Sequence, residues 1–269
     1  MDRKPIVAGQ FYTAEPQALA AEVARFLSVA EGRADKPTLL AMVPHAGYVF
    51  SGAVAGATLG RADLADTVIL LGPNHTGMGS RYALWHMGSW LFPGGGLAVD
   101  EELAETLIAR DPRLTPDRTA HLNEHSLEVL VPFLRSINPD MRIVPICVGG
   151  GGARELMDVG LRLAETLKAR KTPVSFVVSS DMSHYVSREE AEARDSLALE
   201  AIKALDPEAL YEVVRANGIT MCGVLPMVLG LSAAKAFGAG AVEVAAYSTS
   251  GDVNGDMSRV VGYAGVLVS

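Results

Sequence analysis

The sequence predicts a three-layer α/β fold, with helices on both sides of a mixed central sheet, built from residues 1–269 as one domain. Three observations carry this. Short, densely aliphatic runs such as 67–71 and 142–148 suit strands buried on both faces. Stretches of helical period alternate with them, and Gly and Pro punctuate the joins. The composition, 49% hydrophobic and 20% charged over 269 residues, is that of a globular chain with ample material for a core.

Taken in order, residues 1 to 13 read as irregular, with Gly9-Gln-Phe-Tyr12 as a loop near the functional residues. Pro16 opens a helix to about residue 27, with Leu19, Val23, Phe26 and Leu27 on one face. A strand over 38 to 43 ends in Pro44-His45, and the small residues 51 to 57 predict a helix packed close to a sheet. The strand from 67 stops at Gly72-Pro73 and presents Asn74 and His75. Residues 81 to 92 read as a strand pair, 93 to 96 as a turn, and about 100 to 109 as a helix; His86, without an evident partner, reads as structural.

A helix over 121 to 135 follows from the spacing of Leu127, Leu130, Val131 and Leu134. The strand 142 to 148 leads through glycines 149 to 152 into a helix whose Leu156, Val159, Leu163 and Leu167 face inward. With neither G-x-G-x-x-G nor a P-loop lysine, those glycines read as a crossover rather than a phosphate cradle. The strand 173 to 180 ends at Asp181-Met-Ser-His184. Ser187 and Glu190 form a capping box for a helix to about 204, and Asp206-Pro207 begins the next. After Cys222 come an apolar helix and two closing strands, about 242 to 248 and 259 to 268, which supply antiparallel edge material.

A net charge of -8 with no basic run argues against nucleic acid as a partner. The first residues lack the apolar stretch of a secretory signal, so the cytoplasm is expected. The longest uncharged stretch, between Arg215 and Lys235, is interrupted by Asn217, Gly218, Gly223 and Pro226, which favours a buried helix over a membrane span. Two cysteines are too few for a disulfide framework. Cys147 has apolar neighbours, whereas Cys222 directly precedes a helix N-terminus, where free amides and the dipole favour thiolate.

Of six histidines, His45, His75 and His184 each follow a predicted strand, so a sheet with aligned strand ends would gather them. His125 lies in Glu124-His-Ser-Leu-Glu128. The ordered set Pro44-His-Ala-Gly-Tyr48, Gly72-Pro-Asn-His75, Glu124-His-Ser-Leu-Glu128, Ser179-Ser-Asp-Met-Ser-His184 and Met221-Cys-Gly223 resembles the Memo family, whose prokaryotic members are called AmmeMemoRadiSam system protein B. That family is in turn similar to class III (LigB-type) extradiol dioxygenases.

The resemblance implies metal ligation by His45, His75 and Cys222, with His125, Asp181 and His184 around the open face. The two further histidines suit proton transfer, and Asp181 suits orienting one of them or capping a turn. In the dioxygenases the third ligand is a carboxylate; a sulfur softens the site and opens it to copper or zinc as well as iron, and adds a ligand that can itself be oxidised, with iron or copper expected ahead of zinc. A metal-dependent redox or dioxygenase-like enzyme acting on a small molecule is therefore expected, with a radical S-adenosylmethionine protein as an implied partner. A second expectation is a non-catalytic adaptor that holds a peptide or anionic ligand in the same cleft. A third is a zinc peptidase, from the H-x-x-E-H match His121-Leu-Asn-Glu-His125, against which Asn123 as helix N-cap would leave His121 outside the helix.

Overall fold

The computed structural model describes residues 2–30, 32–170 and 172–269. In chain order the elements are α1 (Pro16–Ser28), β1 (Leu40–Val43), α2 (Tyr48–Arg61), β2 (Thr67–Pro73), β3 (Tyr82–Leu84), β4 (Ser89–Phe92), β5 (Gly95–Val99), α3 (Glu101–Arg110), β6 (Thr115–Pro116) and α4 (Thr119–Leu122). A 3-10 turn (Glu128–Leu130) then leads to α5 (Val131–Ile137), β7 (Arg142–Val148), α6 (Ala153–Lys168), β8 (Ser175–Ser179), β9 (His184–Val186), α7 (Arg188–Lys203), α8 (Pro207–Ala216), α9 (Val224–Ala236), β10 (Val242–Thr249), α10 (Gly251–Asn254) and β11 (Val260–Val268).

The sheet runs β10-β11-β1-β8-β2-β7-β3-β6, with β5 joined to β7 and β9 to β11. β1, β8, β2 and β7 are mutually parallel, and β11 and β10 close the near edge antiparallel. Helices α1, α2 and α5 cover one face, and α3, α6, α7, α8 and α9 the other. Every residue of β1, β2 and β8 is buried, because helices stand on both sides of them; hence their aliphatic runs do not alternate. This is the layered mixed sheet that the sequence predicts. Ser187 and Asp206 cap α7 and α8 as expected, accepting from Glu190 N at 3.2 Å and Ala209 N at 2.9 Å.

The small residues of α2 serve two neighbours. A Cβ on Gly56 would lie 2.5 Å from the carbonyl carbon of Phe26, so this glycine lets α2 sit directly on α1, while Thr58, two positions on and roughly opposite on the helix, lies against Gly265 of β11. Among the described residues no helix is long and apolar enough to cross a membrane.

Two expectations are corrected. Residues 81 to 92 do hold two strands, but they do not pair with each other. β3 lies antiparallel to β7, and β4 makes its hairpin with β5, across a turn in which Gly94 takes a φ of 90°. Residues 121 to 135 are not one helix: Asn123 ends α4 instead of capping a longer one, and helical structure resumes only at Glu128. The break has a cause, for Glu124 and Glu128 turn their carboxylates to different buried partners, described below.

The same break removes the peptidase geometry. His121 is fully buried, its Nε2 is 2.9 Å from the Ala83 carbonyl, and its ring stands edge-on to Trp85 and Trp90. His86 Nδ1 is buried and has no hydrogen-bond partner among the described residues.

Gly56→Ala is expected to cost about 1–3 kcal/mol of stability through overpacking, read as a lower urea midpoint at unchanged slope. A second expectation concerns acid. Burial lowers the His121 pKa from 6.5 to about 4, so the folded protein keeps this ring neutral while the unfolded chain protonates it. Its contribution is complete above pH 6.5 and is lost as pH falls toward 4, on the order of 3 kcal/mol. His121→Phe should flatten the plot of urea midpoint against pH in that window, and an unchanged slope would contradict the assignment.

Candidate metal centre

Because β1, β8 and β2 are adjacent and parallel, their carboxyl ends open on one edge of the sheet. His45 follows β1, His75 follows β2, and Ser179 to Asp181 leave β8 between them. His125 joins from the loop between α4 and the 3-10 turn. The ligand nitrogens of His45, His75 and His125 all lie within 4.8 Å of one another. The His75 and His125 rings stack at 4.9 Å, and His45 stands edge-on to both. Cys222 Sγ is 3.3 Å from His45 Nε2.

The hydrogen bonds decide which nitrogens face the cluster. Ser179 Oγ has one proton and donates it to the Ser126 carbonyl at 2.6 Å, so it must accept from His45 Nδ1 at 2.7 Å. Likewise the Glu124 carboxylate accepts from His75 Nδ1 at 2.9 Å, and the Thr220 carbonyl from His184 Nδ1 at 3.0 Å. All three imidazoles are therefore held as Nδ1–H tautomers, which leaves the Nε2 lone pair free. Metal-ligating histidines are characteristically tethered in this way. The donor set fits a transition-metal ion.

Electrostatics point the same way. Burial, reinforced by His75 and His125, holds the pKa of His45 well below the usual value, and burial also lowers that of His125. For His75 burial works in the same sense, but the Glu124 hydrogen bond and charge outweigh it and the pKa rises. Glu124, pushed up by burial, is brought down to about 2 by His75 and by the backbone N–H groups it accepts. Both carboxylate oxygens are in use: Oε2 accepts from His75 N at 2.5 Å, and Oε1 from His75 Nδ1 and Ser126 N at 2.9 Å.

Asp181 joins the two halves of the site. Its Oδ1 accepts from His45 N at 2.7 Å, and its own N–H donates to Cys222 Sγ at 3.3 Å. Burial raises its pKa despite the His45 N–H. Cys222 precedes Gly223, the N-cap of α9, where a Cβ would fall 2.5 Å from the Ser179 carbonyl oxygen; glycine there lets the sulfur approach. The thiolate expected from the helix terminus is not what the surroundings favour: burial and the neighbouring Asp181 push the thiol pKa up. His184 is half-exposed, and its charge bears on both His45 and Asp181.

Sequence reasoning passed over Glu124 as a tether, and Ser126 and Ser179 altogether. Two acidic residues in a stretch otherwise patterned for the core are a legible signal of paired burial; a serine carries none. Glu128 is the counterpart of Glu124. It is 1% exposed and accepts from Arg3 Nη1 at 2.7 Å, Ile6 N and Val7 N at 3.0 Å, and Tyr12 OH at 2.8 Å. This straps the N-terminal segment down and sets Phe11 against His125, with ring centroids 4.6 Å apart. The loop 9 to 12 thus lies at the site, as expected. A cavity of about 670 Å³ opens at the opposite edge of the sheet, beside Thr67, Asp100, Arg142 and Arg170, but no imidazole or thiol lines it.

The family model described as Memo-like protein matches residues 3–267. A MEMO1 family protein of Methanopyrus kandleri is 38% identical over 279 residues, 99% of each chain. One from Aquifex aeolicus is 40% identical over 266 residues, 98% of each chain, and one from Methanococcoides burtonii 40% over 267 residues, 99% of each. Among solved structures, an uncharacterized protein from Escherichia coli K12 shares the fold at 13% identity and a TM-score of 0.55, over 83% of this chain and 98% of that one.

In metal-free protein, Glu124→Gln should lower the His75 titration midpoint, since the hydrogen bond and charge that raise it are lost. Imidazole carbon-proton NMR across pH 5 to 8 checks this (about one and a half units on either side of the unperturbed value). A midpoint that stays in place would show that Glu124 does not control the ring.

Proposed function

The chain belongs to the Memo family, and from that premise we propose that it is a metal-dependent redox enzyme whose single ion is held by His45, His75 and Cys222. The observation that carries the proposal is the convergence of the His45, His75 and His125 ligand atoms within 4.8 Å, with Cys222 Sγ 3.3 Å from His45 Nε2 and with His45 and His75 each anchored from behind through Nδ1. When bound, iron or copper would supply one-electron and Lewis-acid chemistry, and a thiolate ligand suits these softer ions.

The remaining work belongs to the chain. His125, stacked on His75 and kept neutral by burial, is placed to accept a proton from a substrate on the open face. His184, half-exposed with its Nδ1–H committed to Thr220, offers Nε2 as the exchange point with solvent. Asp181 fixes the His45 backbone and the sulfur, so the two ligating halves keep their spacing. Phe11, its ring tilted against His125 at 4.6 Å, limits water on that side.

A specific observation favours one variation on the ligand set: the group whose ligand atoms lie within 4.8 Å is His45, His75 and His125. Elemental analysis of protein reconstituted with iron or copper separates the two. Parent protein should hold about one ion per chain, His45→Ala and His75→Ala should hold none, Cys222→Ser should lose most of it, and His125→Ala and His121→Ala should retain it. Retention by Cys222→Ser with loss in His125→Ala would assign the all-imidazole set. Equal and negligible metal in every protein would remove the proposal. Glu124→Gln should weaken affinity about 10–100-fold, the usual effect of removing the partner that orients a ligand.

A further inference from the structure

Beside the imidazole cluster, β9 contains a strained residue. Tyr185 has a φ of 60°, a left-handed conformation rare for a bulky side chain, and it is 65% exposed. Backbone outliers of this kind persist where the surroundings hold them, and they concentrate at functional sites. The flanking residues do the holding: His184 N donates to Thr220 Oγ1 at 2.7 Å, and His184 and Val186 pair with Val261 and Val260 of β11. The strain presents an aromatic ring to solvent next to His184, with ring centroids 5.8 Å apart.

Arg259, exposed at the start of β11, lies over that ring with its guanidinium carbon 4.9 Å from the centroid. Among the described residues no carboxylate pairs with it. Its neighbours are committed: Arg188 pairs with Glu192 and Asp252, and Arg194 with Glu190. Asp256, three positions away, is occupied by the Ser258 N–H and hydroxyl at 2.9 Å and 2.6 Å and by the backbone N–H of Arg259, not by its guanidinium. A guanidinium stacked on an aromatic face keeps its in-plane N–H fork free, and that fork matches a carboxylate or a phosphate. In a chain of net charge -8, an uncommitted arginine joined through Tyr185 and His184 to Thr220, two positions before Cys222, is a selective feature for anions.

We propose that Arg259, supported on Tyr185, is the group that recognises the substrate, and that the substrate is a small molecule carrying a carboxylate or phosphate. The metal-site reading above is taken for where the reacting end lies; the anion-binding end stands on Tyr185 and Arg259 alone. The planar fork fixes the oxyanion and so the direction in which the rest of the molecule passes His184 toward His45 and His75.

The test titrates the full chain, metal-free and metal-loaded, with benzoate, phenyl phosphate and uncharged benzamide, following the Arg259 Nε–H resonance and tyrosine ring signals by NMR. At least one anion should bind, and its affinity should fall about tenfold or more in Arg259→Ala, as expected for loss of a charge-assisted contact. Benzamide should respond equally to both proteins. Arg259→Lys should rescue phenyl phosphate better than benzoate, because an ammonium lacks the fork; whichever anion binds tighter to the parent identifies the headgroup. Equal anion affinity in parent and Arg259→Ala, or no anion binding by the parent, overturns the proposal. If no metal is retained but anion binding still requires Arg259, the metal reading fails and this one stands.

Discussion

Burial of two carboxylates four positions apart is the constraint on which the site depends. Glu124 and Glu128 are each 1% exposed, and an unpaired charge at such depth would cost several kcal/mol. Each is saturated from a different direction, Glu124 by His75 and its backbone, Glu128 by Arg3, Tyr12 and the amides of residues 6 and 7. A continuous helix would put both on one face and satisfy neither set. The chain therefore breaks between α4 and the 3-10 turn, and the break delivers His125 to the strand ends. The same two anions fasten elements remote in sequence, the strand end at His75 and the N-terminal strap.

Much of this architecture was legible in the residues. Strands β1, β2, β7 and β8 are sandwiched between helices, so their aliphatic runs announce them, and the histidines stand where parallel strands release their chain. Capping at Ser187 and Asp206 is local chemistry and was equally readable. Partner choice was not. β4 has the composition to pair with either neighbour, and only the turn at Gly94 commits it to β5. The period of Leu127, Leu130, Val131 and Leu134 reports a buried face correctly, yet says nothing of the carboxylates that interrupt the ladder.

At the site the division is similar. Residue types able to ligate an ion can be recognised from motif order, but the His45 tautomer depends on Ser179 and Ser126, which meet across 53 positions and carry no distinguishing mark. Cys222 shows a local rule losing to a global one. A helix terminus favours thiolate, but desolvation of the partly buried sulfur beside Asp181 opposes it more strongly. In the folded chain the sulfur is therefore favoured as the thiol.

The contact between His45 and Cys222 spans 177 positions. At ordinary ribosomal speeds, roughly 5–20 residues per second, the first imidazole emerges about ten to thirty-five seconds before the sulfur it touches. During that interval the nascent polypeptide displays His45 without its sulfur companion, so this contact, and the closure of Asp181 onto Cys222 with it, forms only once synthesis has passed residue 222.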